Sequence, residues 1–206
     1  MIKVLGRPNS VNVQKVMWCA AELGVAVDRT DVGGPFGGND TEDYLANNPN
    51  GTIPTLIDSD YVIWESNAIV HYLCDQYGST PWQPDNPKDR GHACQWMDWY
   101  QTTLHAHMTT IFWQLIRTAP ADRNGAALQA AIEKASTLWA MLDHHLSSRH
   151  YILGDAPSMA DIPLGCAANR WHAMDFERPE LGSLKSWWDR LCDRPAYREH
   201  VMLPLS

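Results

Sequence analysis

Four short stretches of this 206-residue chain set hydroxyl, amide or carboxylate side chains at the start of a helix or strand. The first is the turn Asn9-Ser10-Val11-Asn12. Ser10 stands where a helix begins, beside backbone N–H groups without intrahelical partners and at the positive end of the helix dipole. A hydroxyl there can cap the helix, as Asn9 also can, or donate a hydrogen bond to a bound thiolate, and Asn12 is a rival donor. Holding a thiol two pKa units below its ordinary value needs about 2.7 kcal/mol of preference for the anion, within reach of a charge-assisted hydrogen bond and a helix dipole together. The second stretch is Thr52-Ile53-Pro54-Thr55. Proline at a strand start marks an edge, a turn or a cis bond. In the cis case the Ile53 backbone could hold an extended peptide ligand as an added strand. The third is Trp64-Glu65-Ser66-Asn67, where a strand runs into a helix. It offers an anion site at the helix N-terminus beside a carboxylate, a pair suited to an α-amino acid, or simply a cap with a first-turn acid. The fourth, Ser158-Met159-Ala160-Asp161, has the spacing of a capping box and reads as structural, opening a buried helix.

These stretches need elements to hold them. Residues 2–6 read as a strand and Val11 to Leu23 as a helix with Val13, Val16, Met17 and Ala20 on one face, stopped by Gly24. Val25 to Val32 reads as a second strand, Gly33 to Asn39 as a glycine-rich loop, and Thr41 to Ala46 as a short helix. A hairpin turning at Ser59 and a helix from Glu65 to Tyr77 follow. A βαβ unit followed by ββα is the order of a thioredoxin-like domain, expected over residues 1–78. Residues 79–87, dense in proline and polar side chains, read as a linker. From 88 to 206 the periodicity is helical throughout, with long runs from Lys88 to Arg117 and from Ala121 to Leu146. The fold class is therefore α/β followed by all-α.

Composition narrows the partners. A net charge of −8 without a lysine-rich tract argues against nucleic acid. The opening MIKVLGRPNS does not read as a signal peptide, and no apolar run approaches a membrane span, so a soluble cytoplasmic protein is expected. The five cysteines, at 19, 74, 94, 166 and 192, lack CxxC spacing, and no metal site is expected among them or among the histidines. The ten Trp, mostly in the second half, point to a bulky aromatic interior or a ring-lined pocket there.

In order and spacing, the pieces SVNVQKV, NPNGTIPTL, ESNAI and GDAPSMADI resemble the cytosolic glutathione S-transferases over essentially the whole chain. The nearest likeness is to bacterial theta-like and nu-like enzymes of the glutathione S-transferase B type. The resemblance implies glutathione as co-substrate and a homodimer. It implies Ser10 or Asn12 as the thiol-activating residue, Ile53 pairing by its backbone with the cysteinyl part beside a cis Pro54, Glu65 and Ser66 holding the γ-glutamyl end, and Asn39 near the glycine end. No tyrosine or cysteine stands in the first turn, which sets aside the tyrosine-dependent and glutaredoxin-like chemistries. Relatives place the electrophile, of alkyl halide or activated alkene type, against the first long helix of the helical half. His107, Trp113 and Arg117 are the pocket candidates there, with Arg117 able to anchor a carboxylate, while Trp96 and Trp99 are expected in the core or between domains. The rival expectations are a glutathione-dependent peroxidase or dehalogenase, and a non-enzymatic binding module.

Overall fold

The computed structural model describes residues 1–206. Strand β1 (Ile2–Leu5) is followed by helix α1 (Val11–Glu22), strand β2 (Val27–Thr30), helix α2 (Glu42–Asn47), strands β3 (Thr55–Asp58) and β4 (Tyr61–Trp64), and helix α3 (Ser66–Tyr77). The sheet has the order β2-β1-β3-β4, with β1 and β2 parallel and the other two pairings antiparallel. The parallel pair requires the α1 crossover, and the antiparallel pair closes by the short turn at Ser59 and Asp60.

The register decides where the loops go. Leu5 pairs with Thr30 on one side and with Thr55 on the other, and Thr55 pairs with Trp64. The segments just beyond these residues (6–10, 31–38, 53–54 and 65–67) therefore leave the sheet at a single end.

Helix α1 differs from its periodicity. One apolar face was expected, yet Val11, Val13, Gln14, Lys15, Val16, Trp18, Cys19 and Ala20 are all buried. The reason is that α1 is covered twice, by α3 within the first half and by α7 (Asp161–Ala173) and α9 (Pro195–His200) from the second. The Glu22 carboxylate accepts Trp18 Nε1–H at 2.8 Å and takes a two-pronged bond from Arg194 at 2.6 and 2.5 Å, tying α1 to the start of α9. Trp82, in the segment between the halves, is buried with its ring edge-on to Trp18. Its carbonyl accepts the Met159 N–H at 3.1 Å.

The second half is helical. A continuous rod runs from α4 (Pro87–Trp99) through a π-turn at Tyr100–Leu104, α5 (His105–Phe112) and a second π-turn at Trp113–Arg117. Helix α6 (Gly125–Leu146) starts four residues later than its periodicity suggests, because the Asn124 side chain caps it by accepting the Ala127 N–H at 3.0 Å, while residues 120–122 form a separate 3₁₀ turn. Helices α7, α8 (Gly182–Cys192) and α9 complete the bundle. Trp139, Trp171 and Trp187 are fully buried here, and a single apolar cluster runs from Ile2 to Val201 through both halves.

Gly165 on α7 lies directly against the Trp18 ring of α1. A Cβ there would lie 2.8 Å from the Trp18 ring and 2.9 Å from Leu191 Cδ1. Gly165→Ala is expected to destabilise the protein by about 1–3 kcal/mol, read as a lower urea midpoint at an unchanged m-value.

Candidate active site

At the loop end of the sheet, two helices begin side by side. Ser10 occupies the cap position of α1 with extended backbone angles, and its carbonyl accepts the Gln14 N–H at 2.9 Å. Its hydroxyl, however, makes no capping bond. The side chain best placed to serve the helix leaves its donor free, while the first N–H groups of α1 point the same way. Asn9 does not cap either; its amide is engaged by Arg7 and Ser206.

Helix α3 begins at Ser66, next to Asn12. Ser66 is buried and donates its hydroxyl proton to Asn12 Oδ1 at 3.2 Å. Asn12 is thus committed through its oxygen, and its amide hydrogens carry no partner within the chain. Glu65, preceding Ser66, adopts φ 69°. For a non-glycine residue that conformation costs on the order of 1–3 kcal/mol, and such strain clusters at functional sites. The Glu65 carboxylate is exposed and makes no hydrogen bond or ion pair within the chain.

The third piece is the cis Ile53–Pro54 peptide. A small polar network holds its approach: Tyr44 donates to the Thr52 carbonyl, Asn48 Nδ2 donates to that carbonyl at 2.8 Å and to Thr55 Oγ1 at 3.1 Å, and Thr55 Oγ1 donates to the Tyr44 hydroxyl at 2.9 Å. Neither the N–H nor the C=O of Ile53 has a hydrogen-bond partner within the chain. Gly6 lies against this corner. A Cβ on Gly6 would fall 2.5 Å from Val13 Cγ2 and 3.4 Å from Ile53 Cβ, so only glycine lets the first turn pass between α1 and the cis peptide. Asn39 Nδ2 donates to the Gly51 carbonyl at 2.8 Å, pinning the end of the glycine-rich loop to the same corner.

Behind Asn12 and Ser66 lies a buried cluster that periodicity did not reveal. Lys15 is fully buried, with Nζ 3.3 Å from Ser66 Oγ, 3.4 Å from Asn67 Oδ1 and 4.8 Å from the Tyr100 ring centre. Asn67 Nδ2 in turn donates to the Met97 carbonyl at 3.3 Å. Burial, joined by the Arg170 charge, lowers the Lys15 pKa to about 8 against the opposing pull of Cys166 and Glu65. Burial, with Lys15 and Arg170 adding to it, lowers His105 to about 4, so its neutral ring takes the Tyr100 hydroxyl at 2.9 Å. Burial pushes the Cys166 thiol up to about 12. The Cys19 thiol, 3.7 Å from Cys74 Sγ, is also raised by that contact and by burial, so neither is a nucleophile.

Three segments from distant parts of the chain thus meet at one sheet end: a free hydroxyl at one helix N-terminus, an unpaired peptide edge, and a second helix N-terminus flanked by a carboxylate. Residues 1–75 match the family model for the glutathione S-transferase N-terminal domain, and residues 102–195 match that for its C-terminal domain. The chain is 38% identical over 208 aligned residues to glutathione S-transferase GstB of Escherichia coli, covering 100% of both. The chain belongs to the glutathione S-transferase family. It also superposes on the theta class glutathione S-transferase of Xanthomonas axonopodis pv. citri with glutathione bound, at TM-score 0.96 and 45% identity, covering 100% of this chain and 99% of that one. Against the apo form of that protein the TM-score is 0.88.

The pocket candidates on the long helix of this transferase fall differently. Arg117 is exposed at the end of the second π-turn, its guanidinium 5.6 Å from the Phe112 ring centre and 5.9 Å from that of Trp113. It donates to the Ser206 carbonyl, and Ser206 receives Asn9, so the chain end links Arg117 to the Ser10 turn. Trp113 is more than half exposed. His107 is half-buried on α5 with no hydrogen-bond partner. Trp96 and Trp99 pack edge to face at the margin of the core, Trp96 also lying 4.6 Å from the ring of His145 on α6.

Proposed function

We propose that this glutathione transferase ionises its co-substrate at Ser10 and passes the sulfur to a small electrophile. The thiol proton leaves to solvent, and the Ser10 hydroxyl donates to the thiolate, assisted by the N–H groups and dipole of α1. The thiolate attacks an electrophilic carbon and displaces halide from an alkyl halide, or adds to an activated alkene whose resulting carbanion takes a proton from solvent. The protein contributes positioning and anion stabilisation. The observation that carries the reading is the Ser10 hydroxyl, which stands at the helix N-terminus with no partner in the chain. The unpaired Ile53 backbone would hold the cysteinyl part as an added strand. Ser66 and the α3 N-terminus would take the γ-glutamyl carboxylate, Glu65 its ammonium, and Asn39 would lie near the glycine end. His107, Trp113 and Arg117 would line the electrophile side.

As assembly, we propose a homodimer in the cytoplasm. Tyr61 and Tyr77, joined through the Tyr72 ring, give the edge-strand side of the first half an exposed aromatic surface of the kind a subunit contact covers. The five unpaired thiols suit a reducing compartment, and no helix is long and apolar enough to cross a membrane.

The test is the ultraviolet absorbance of bound glutathione followed against pH. A thiolate band is expected at pH values where free glutathione remains a thiol. Glutathione that binds but stays protonated would instead favour a binding module, or chemistry without a free thiolate.

A further inference from the structure

A fully buried lysine normally has a carboxylate partner, because a desolvated charge without one is costly. Lys15 has none: no carboxylate lies within ion-pair distance, and Glu65, whose charge reaches it, keeps its carboxylate in solvent. Arg170 adds a second, partly buried cation, its guanidinium 4.0 Å from the Phe112 ring centre and its Nε unpaired. The neighbours Tyr100, His105 and Cys166 are held neutral, so nothing nearby cancels the charge. What Lys15 does touch is the start of α3: it donates to Ser66 Oγ and Asn67 Oδ1, and the Ser66 hydroxyl in turn donates a hydrogen bond to Asn12 Oδ1. A buried cation is thus set directly beneath a helix N-terminus, and both fields add at the point where an anion would sit.

We propose that Lys15 is the buried counter-ion for the α-carboxylate at the γ-glutamyl end of glutathione, acting through Ser66 and Asn67. The proposal rests on the glutathione reading above. The carboxylate supplies the negative charge that the folded chain lacks, so Lys15 is a positioning and specificity residue that selects for that group. Its low pKa is consistent with a cation awaiting its partner.

The experiment compares wild-type protein with Lys15→Met, which keeps an unbranched chain one atom shorter and removes the charge. Two ligands are titrated calorimetrically: S-methylglutathione, which has no thiol proton, and its counterpart with γ-aminobutyrate in place of the γ-glutamyl residue, which lacks only the α-carboxylate. Lys15→Met is expected to lose about tenfold or more in affinity for S-methylglutathione, and less than about twofold for the decarboxylated ligand. Its urea midpoint should match or exceed that of the wild type, because replacing an uncompensated buried charge by an apolar chain of similar volume is neutral or stabilising. Equal losses for both ligands, no loss for either, or a lower urea midpoint with a general loss of binding would each make Lys15 a structural residue and overturn the proposal. Failure of the wild-type protein to bind S-methylglutathione would overturn the glutathione reading and this proposal with it.

Discussion

Ser10→Ala is expected to lower kcat by about tenfold to a hundredfold while leaving the Kd for glutathione within about threefold. The range follows from the net worth of a hydrogen bond to a charged group, about 1.5–3 kcal/mol, at 1.36 kcal/mol per tenfold in rate. The affinity should hold because the contacts assigned to the tripeptide come from elsewhere, at the Ile53 backbone and the start of α3. The same substitution should raise the pKa of the bound thiol by about one to two units, so the thiolate band shifts toward higher pH by the amount that the rate at neutral pH falls. Asn12→Ala should behave in the opposite way. Asn12 Oδ1 receives the Ser66 hydroxyl at 3.2 Å, so its loss frees Ser66 and disturbs the α3 end of the site, raising KM for glutathione more than it lowers kcat. A thiol pKa that moves with Asn12→Ala and not with Ser10→Ala would make the amide the activating donor.

The split between these residues shows how far the sequence could be read. That Ser10, Ile53 and Ser66 would converge follows from strand order, since each stands just after or just before a strand whose neighbours are implied by βαβ and hairpin rules. The register that pairs Leu5 with Thr55 and Thr55 with Trp64 is the physical form of that expectation. The state of each donor was not legible. A serine at a helix start normally caps it, and only the structure shows that this hydroxyl is left over. Nor does any pattern announce the positive φ of Glu65.

The buried cluster was hidden for a different reason. Periodicity in α1 reports the apolar face of Val13, Val16, Met17 and Ala20, and Lys15 lies off that face. It becomes interior where α3, the Tyr100 ring and the Cys166–Arg170 stretch of α7 close around it, elements far apart in sequence. Tyr100 comes from the π-turn after α4 and Arg170 from α7, and no local spacing connects them with Lys15. One signal was present: a lysine in the run Val11–Ala20 whose other residues are mostly apolar. The start of α6 was misplaced for a simpler reason. Ala121 fits the apolar pattern, but Asn124 holds the cap, and cap chemistry decides a boundary where periodicity continues past it.

Asp161 carries the largest stability effect expected in the chain. Its spacing from Ser158 marks a capping box, and that part holds: Oδ2 accepts the Ser158 N–H at 2.8 Å and its hydroxyl at 3.1 Å. The carboxylate also reaches further, with Oδ1 accepting the Ile152 N–H at 3.0 Å and the Trp187 indole N–H at 2.8 Å. One fully buried side chain thus joins the loop before α7, the start of α7 and the middle of α8. Asp161→Ala leaves four buried donors without an acceptor, at about 1–3 kcal/mol for each that water cannot reach. Partial relaxation brings the expected loss to about 3–5 kcal/mol, a large share of the 5–15 kcal/mol typical of a folded domain. The urea midpoint should fall accordingly, while kcat per folded molecule is retained, because Asp161 touches none of the residues at the loop end of the sheet. Asp161→Asn keeps Oδ1 as an acceptor and should lose about half as much. Burial holds the Asp161 carboxyl above its ordinary pKa, against the downward pull of its four hydrogen bonds. The folded chain therefore binds that proton more tightly than the unfolded chain, and this increment of stability is complete below the unfolded pKa and lost as pH rises through the folded one. Asp161→Asn has no such proton, so the difference in stability between wild type and Asp161→Asn should change with pH across that window and be flat above it. A difference that stays constant through the acid range would mean that the carboxyl titrates alike in both states, with the hydrogen bonds cancelling the cost of burial.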